Sequence, residues 1–158
     1  MKAMISILLL VVFGLNSYSQ KVLDTDGLNN TDNVFLYALK EYCKTISQSA
    51  NKVVYVEKNS NTPIGDSWPK KIEGLKIEYL YTQKEYKNAL KSNNGKIAVV
   101  GIRPLNFKDG NFYVSLITFR VSYKKRKINF INGGGWNIYF DYDPVKKGLV
   151  YKSKENYG

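Results

Sequence analysis

Two stretches of the chain place apolar residues at the spacing of an amphipathic helix. The first runs from Asp32 to about Ser49, and its apolar residues recur every three or four positions: Phe35, Ala38, Leu39, Tyr42 and Ile46. This stripe predicts a helix that packs on the core, with Thr31 or Asp32 as its N-cap. The second helix is short and begins at Thr82, where Glu85 can complete a capping box, and "NNG" ends it.

Alternation of apolar and polar residues with a period of two predicts strands in much of the remaining chain. Alternation is clearest in "LKIEYLYT" and from Trp136 to Asp143, whereas "KVVYVEK" is predicted as a strand from its β-branched residues, and "KIAVVGIR" and "FYVSLITFRVSY" from their largely apolar content. The last of these, residues 112–123, carries apolar side chains on both faces, which is typical of a central strand covered on both sides. Asp109 and Gly110 before it predict a hairpin turn, and the lysines of "LVYKSK", residues 149–154, are typical of an edge strand.

The order of these elements predicts an α+β fold. Strands that follow one another with short turns form antiparallel meanders, and the helices then pack on the sheet. We therefore predict a curved, mainly antiparallel sheet of about five or six strands packed on one long N-terminal helix, plus one short helix. Residues 32–158 would form this single α+β domain, a length that suits one hydrophobic core.

The N-terminus carries the pattern of an export signal. Lys2 precedes an apolar run over residues 4–15, and small residues then flank Tyr18, as a signal peptidase requires. A helix over this run would reach only about 18 Å, which is short of the roughly 30 Å hydrocarbon core of a bilayer. We predict a signal peptide at 1–19, a flexible arm at 20–31, and a mature chain that is periplasmic or secreted and spans no membrane.

The composition indicates a basic protein without internal disulfides. The chain has 24 Lys and Arg against 13 Asp and Glu, a formal net charge of +11, and a single cysteine, Cys43. A basic surface favours anionic partners, so we expect an acidic protein or an anionic cell-surface polymer. Nucleic acid is not expected, because an exported protein seldom meets it. Cys43 has no intramolecular partner, and its place in the first helix predicts a small buried residue.

Three consecutive glycines at 133–135 raise the question of a phosphate-binding loop. Such a loop lies between a strand and a helix, whose N-terminus contributes amides and a favourable dipole. Here "GGGW" leads into an alternating strand from Trp136, and no Lys-Ser or Lys-Thr pair follows. The glycines instead predict a bulge or kink in a strand.

The residue types that commonly carry catalysis are scarce. The chain has no histidine, which excludes Ser-His-Asp and Cys-His catalysis and removes the commonest metal ligand. Asp141 and Asp143 share a strand face about 7 Å apart, within the range of a glycosidase pair, but Pro144 predicts instead that both are solvated carboxylates at a turn. We expect no metal and no cofactor, and the sequence favours a protein that is not an enzyme.

Two groups of side chains are candidates for binding. The first is basic, is interleaved with aromatic residues and would meet an anionic partner: Arg120, Lys124, Lys125, Arg126 and Lys127. The second is aromatic and would line a ligand site on the sheet: Tyr79, Tyr81, Trp136 and Tyr139. Such side chains combine apolar contact with a polar tip. Since Trp136 and Tyr139 point to opposite faces of one strand, at most one of these two belongs to that site.

Three segments resemble a family of small exported proteins of Bacteroidota-type bacteria: "SWPKKIEGLKIEYL", "IRPLNFKDGNFYVSLITFRVSYKKRKINFINGGG" and "IYFDYD". The "SYSQ" end of the export signal fits the same group, and the resemblance implies no activity that could be transferred. The architecture predicted over residues 32–153 is similar to the cystatin-like and NTF2-like folds.

These observations leave three functional hypotheses. The first is an exported, non-catalytic binding module for a ligand or a protein partner, which would use the face of the sheet. The second is a basic inhibitor or immunity-type protein that binds an acidic partner or an anionic surface through residues 120–127. The third, which the missing histidine makes the least favoured, is a histidine-free enzyme.

Overall fold

The computed structural model describes residues 31, 33–48, 52–59, 62, 64–65 and 67–158. The predicted signal peptide and, apart from Thr31, the predicted arm lie outside the described residues. Within them, two helices and eight strands follow one another: α1 (Val34–Ile46), β1 (Val53–Glu57), β2 (Lys71–Ile72), β3 (Leu75–Leu80), α2 (Gln83–Ser92), β4 (Lys96–Ile102), β5 (Asn106–Lys108), β6 (Asn111–Lys124), β7 (Lys127–Asp143) and β8 (Gly148–Tyr157). Neither described helix is long and apolar enough to cross a membrane.

The eight strands form one mixed sheet in the order β2-β3-β1-β4-β6-β7-β8, and β5 pairs with the start of β6. β1 lies between β3 and β4 and runs parallel to both. β6, β7 and β8 form an antiparallel meander that is joined to β4 by antiparallel pairing. α2 is the crossover between β3 and β4, which two strands running in the same direction require.

The predicted fold class, α+β with a mainly antiparallel sheet of about five or six strands on one long helix, is wrong. The structure is mostly sheet, 53% strand and 19% helix, and the sheet is mixed and has eight strands. The longer of the two described helices, α1, has only 13 residues. Alternation within a strand does not show the direction of the neighbouring strands, so the parallel pairing of β1 with β3 and β4 was missed. β2 and β5 were also missed, because two or three residues are too few to show a period.

α1 covers one side of the sheet, over β6 and β7. Its N-cap is Asn33, whose side chain accepts a hydrogen bond from the Leu36 amide at 3.2 Å; the predicted caps, Thr31 and Asp32, were wrong. The predicted apolar stripe is confirmed, since its central members are buried and Phe35 and Ile46 pack at the margin. The stripe meets buried residues of the sheet: Val114, Leu116, Ile138 and Phe140.

Cys43 is a buried free thiol on the sheet-facing side of α1, as predicted. Burial, and to a smaller degree the charge of Glu73, raises the pKa of this thiol to about 12. The thiol is therefore protonated near neutral pH, and the protonated form is a poor nucleophile.

α2 packs on the opposite side of the sheet and begins with the predicted capping box. The Glu85 amide donates to the Thr82 hydroxyl at 3.3 Å, and the Thr82 amide donates to the Glu85 carboxylate at 2.7 Å. The buried face of α2 meets a second set of apolar side chains: Tyr55, Leu80, Ile97, Val99 and Val121. Since Val54 and Val56 face α1 and Tyr55 faces α2, β1 is buried on both sides.

The two helices cover diagonally opposite parts of the sheet. α1 lies over the meander, and α2 lies over β1, β4 and the far end of β6. On the α1 side, the starts of β1 and β4 are therefore left without a helix. On the α2 side, the start of β6 and its partners in β7 and β8 are left without one. These two uncovered areas hold the polar side chains discussed below.

The triple glycine lies within β7, so the prediction of a strand bulge is confirmed. Ile117 pairs with Gly135 and Phe119 pairs with Asn132, which leaves β7 with one more residue than β6 across this step. Gly134 has a φ of +86°, a conformation that glycine adopts without the steric cost of a side chain.

The bulge changes which residues of β7 face each helix. Before it, Phe130 packs against Tyr86 of α2, with ring centroids 5.5 Å apart. After it, Ile138 and Phe140 face α1. All three positions are even-numbered, so a regular strand would have kept them on one side. The extra residue thus allows one long strand to contribute to both cores.

Candidate functional site

A large open cavity lies where β1 and β4 begin and β6 ends. We call it the basic groove; its volume is about 830 Å³, and four cationic side chains line it: Lys52, Lys96, Arg120 and Lys124. Its other lining residues are mainly apolar: Val53, Tyr55, Asn93, Ile97, Ala98, Val121, Ser122 and Ile131.

Strand register brings these four cations together. Tyr55 of β1 pairs with Val99 of β4, and extending that parallel register by three residues places Lys52 beside Lys96. On the next strand, Lys96 pairs with Ser122, the residue midway between Arg120 and Lys124. All four cations occupy the alternate positions that face the α1 side, beyond the part of the sheet that α1 covers.

The electrostatic character of the basic groove is uniformly positive. Among the residues that the structure describes, no carboxylate lines it, and none of the four cations forms an ion pair. The Arg120 side chain runs along Gly133, where an added Cβ would lie 3.7 Å from Arg120 Cγ and Nε. The four charges face the open groove without a counter-charge, which favours an anionic occupant.

Only part of the predicted basic group lies in the groove. Arg120 and Lys124 line it, whereas Lys125, Arg126 and Lys127 form the exposed end of the β6–β7 hairpin. Lys125 and Arg126 have φ values of 48° and 64°. A two-residue turn of this kind is usually built from Asn and Gly, because both central residues need positive φ.

Sequence reasoning missed Lys52 and Lys96. Each is an isolated lysine where a strand starts, since Lys52 directly precedes β1 and Lys96 is the first residue of β4; this is a common position for a solvated side chain. This shared position was the only signal, and it indicates that the two lysines are close only once β1 and β4 are known to be parallel neighbours. In that arrangement the starts of the two strands lie side by side.

The four predicted aromatic liners do not form one cluster. Tyr79 lies on the α1 side of β3, where its ring packs 6.3 Å from that of Trp68 and its hydroxyl donates to the Pro69 carbonyl at 2.9 Å. Burial raises the pKa of Tyr79, in keeping with a core position. Tyr81 follows β3 and is 67% exposed.

Trp136 and Tyr139 lie on opposite sides of β7, as their spacing predicts. Trp136 packs at the edge of the α1 core, and Lys154 Nζ lies 5.9 Å from the centre of its ring. Tyr139 lies on the α2 side, where its hydroxyl donates to Glu155 at 3.1 Å and its ring lies 5.8 Å from that of Tyr113.

The carboxylates considered for catalysis have structural contacts. Asp143 accepts hydrogen bonds from the amides of Val145 and Lys146 in the β7–β8 turn, at 2.8 and 3.1 Å. Asp141 pairs with Lys152 at 3.1 Å. Within the described residues, no group of three or more His, Cys, Asp or Glu side chains could hold a metal ion.

No protein-family model, curated protein or solved structure matches this chain. The resemblance to exported bacterial proteins and the similarity to cystatin-like and NTF2-like folds therefore stay predictions. Among the described side chains, those of the basic groove bring four cations together around one open cavity.

Proposed function

We propose that the protein is an exported, non-catalytic binding module that holds an anionic polymer in the basic groove. The observation that carries the proposal is the presence of four cations without ion-pair partners in one open groove, in the part of the chain that the structure describes. Export is proposed from the N-terminal pattern of the sequence alone.

A polymer suits the groove better than one small anion. Neighbouring strands lie about 4.8 Å apart, so Lys52 on β1 and Arg120 on β6 are separated by roughly 10 Å across the sheet. Their long side chains could still meet at one small anion, but a single phosphate or carboxylate would neutralise only one or two of the four charges. Repeated acidic groups along a chain can pair with all four cations, and the exposed apolar residues Ala98 and Ile131 offer contact to the uncharged parts between them.

The second candidate function is an inhibitor or immunity-type protein that binds an acidic protein. The observation that favours it is the exposed hairpin end, where four consecutive cations run from Lys124 to Lys127 and the middle two form the turn. A protruding basic turn suits a protein surface, whereas the groove suits a flexible chain. The two candidates share Lys124 and differ in the remaining cations, which are Lys52, Lys96 and Arg120 for the groove and Lys125, Arg126 and Lys127 for the hairpin end.

The test is titration of the purified chain with fluorescent dextran sulfate, with neutral dextran as the reference polymer. We expect binding to the sulfated polymer alone, with an affinity that falls as ionic strength rises, because salt screens exposed charges. The double variant Arg120→Ala/Lys124→Ala should bind about tenfold more weakly, since each exposed ion pair contributes up to about 1 kcal/mol.

Two further variants identify the surface that binds. Lys108→Ala/Lys146→Ala removes the same charge at the opposite end of the sheet and should leave the affinity unchanged. Lys125→Asn/Arg126→Gly neutralises the hairpin end and should weaken binding less than the groove variant does. Equal losses in the groove and opposite-end variants would mean that net charge alone is responsible, and a loss confined to the hairpin variant would favour the second candidate.

A further inference from the structure

A row of five residues crosses the α2 side of the sheet, in the part that α2 leaves open. Strand register defines the row: Glu57 of β1 pairs with Gly101 of β4, which pairs with Ile117 of β6, then Gly135 of β7 and Tyr157 of β8. We call these residues the glycine row. Since each belongs to a different strand, the row runs perpendicular to the strands.

The two glycines of the row make room for the side chains at its ends. A Cβ at Gly101 would lie 2.9 Å from Glu57 Oε2 and 3.4 Å from Arg103 Nη2. A Cβ at Gly135 would lie 2.7 Å from the Tyr157 hydroxyl. Glu57 and Tyr157 therefore lie flat across the glycines, and their polar ends approach the centre of the sheet from both sides.

Glu57 and Arg103 form a loose, incompletely satisfied pair. Glu57 Oε2 lies 3.9 Å from Arg103 Nη1, too far for a hydrogen bond. This oxygen is shielded from solvent and accepts no hydrogen bond from any described residue. The Arg103 guanidinium lies 5.5 Å from the centre of the Phe119 ring. Contact with this ring, as well as the charge of Glu57, therefore holds the guanidinium in place.

A chain of hydrogen bonds extends the polar surface from the glycine row along the β7 and β8 strands. The Ser115 hydroxyl donates to Asn137 at 2.6 Å, and Tyr139 donates to Glu155 at 3.1 Å. Burial raises the pKa of Tyr157, while the charge of Arg103 and a hydrogen bond with Ser115 act in the opposite direction. The row and this chain are therefore one connected polar area.

We propose that the glycine row is a second binding site, which takes a neutral polyhydroxyl ligand such as a sugar unit. The side chains around it are partly exposed, including 25% for Glu57 and 34% for Arg103. One ligand hydroxyl can approach the pair from the side of Glu57 Oε1, which unlike Oε2 is not shielded from solvent. It would donate to the carboxylate and accept from the guanidinium.

The charge balance selects a neutral ligand. At the row itself the charges of Glu57 and Arg103 cancel. The connected polar area adds the Glu155 carboxylate, which accepts from Tyr139, so the area does not attract an anion as the basic groove does. Asn137 and Tyr139 add uncharged donors and acceptors nearby, and the Tyr113 and Tyr139 rings, 5.8 Å apart, offer faces for the apolar side of a sugar ring. A zwitterion is the one charged class that could also fit the pair, and the experiment separates it.

The test is a titration of the ¹⁵N-labelled chain, followed by NMR, with glucose, galactose, mannose and N-acetylglucosamine in turn. We expect at least one sugar to give saturable shifts of the Gly101, Gly135 and Asn137 amides. Glu57→Gln should weaken binding about tenfold, because it removes a hydrogen bond to a charged acceptor. Glu78→Gln, an equal charge change on β3, should leave the affinity unchanged.

Arg103→Gln provides a second variant if Glu57→Gln does not fold, and it should weaken binding to a similar degree. The proposal is overturned if none of the four sugars shifts the row, or if the affinity survives in every folded variant of the pair. It is also overturned if free glycine shifts these amides while no sugar does, since the ligand class would then be a zwitterion. The result is independent of the four cations of the basic groove, which lie on the other side of the sheet.

Discussion

Gly134 and Gly148 both belong to the β6–β8 meander, but they differ in whether the backbone at that position requires glycine. Gly134 has a φ of +86°, and a Cβ there would lie 2.7 Å from the Tyr157 carbonyl oxygen. Gly148 has no positive φ, and its nearest contact would be the Lys146 carbonyl oxygen at 3.8 Å. The bulge in β7 therefore requires glycine at 134, whereas the start of β8 tolerates a side chain.

We expect Gly134→Ala to lower the free energy of unfolding by about 1–3 kcal/mol, because alanine there is strained and meets the backbone of β8. Urea denaturation measures the change. Gly148→Ala is the matched control and should stay within about 0.5 kcal/mol of the parent chain. A similar loss in both variants would show that the bulge conformation is not what requires glycine.

The sequence predicted the residues whose role depends on their neighbours in the chain. It missed the residues whose role depends on strand pairing with distant parts of the chain. The glycine run predicted the bulge because no helix follows it, and Arg120 and Lys124 stood out in a basic cluster. Lys52 and Lys96 gave no such signal, because their proximity depends on strand pairing 44 positions apart in the chain. Glu57 was likewise unremarkable until Gly101 was found beside it.

At the scale of elements, one ion-pair network fastens α1 to β8. Glu41 is 6% exposed and accepts from Lys44 at 2.6 Å and from Lys154 at 3.4 Å. Burial alone would raise the pKa of Glu41, but the hydrogen bond and charge of Lys44, followed by those of Lys154, hold it below the usual 4.5. The carboxylate therefore stays ionised and attached to both lysines.

Glu41→Gln should lower the free energy of unfolding by about 1–2 kcal/mol near pH 7. Because the pKa is lowered in the folded state, the stabilisation is complete above pH 4.5 and is lost as the pH falls through the folded value. The two chains should thus converge on acidification, as urea titrations at several pH values measure. Glu78→Gln removes the exposed pair with Lys76 and should have little effect at any pH.

Elements defined by neighbouring residues were predicted well. The capping box of α2 and the Asp109–Gly110 turn, with φ values of 50° and 78°, are each encoded within four residues. The N-cap of α1 was displaced by one or two positions, because Thr31, Asp32 and Asn33 are all competent caps. The shortest strands, by contrast, exist only because longer neighbours offer them hydrogen bonds.

At the scale of the whole molecule, the sequence could not reveal the strand order. β1 pairs with two strands that follow it later in the chain, and its own residues, apolar on both faces, fit a parallel or an antiparallel setting equally well. The placement of the helices on opposite sides follows from that order. Both uncovered areas, and hence both proposed sites, depend on it.

Hydrogen exchange should follow the same architecture. Amides of β1 and β4, which lie inside the sheet and are buried on both sides around Val56 and Val100, should exchange slowest, with opening energies near the global value. The amides of the edge strand β8 that do not bond to β7 should exchange at least about a hundredfold faster. Uniform protection across β4 and β8 would contradict the strand order.

The diagonal placement of α1 and α2 has a consequence for what one copy of the chain can join. The two uncovered areas look in opposite directions with the sheet as a wall between them, so occupants of the two cannot touch or displace each other. If both proposed sites are occupied, one copy of the chain would link an acidic polymer on one side of the sheet to an uncharged glycan on the other.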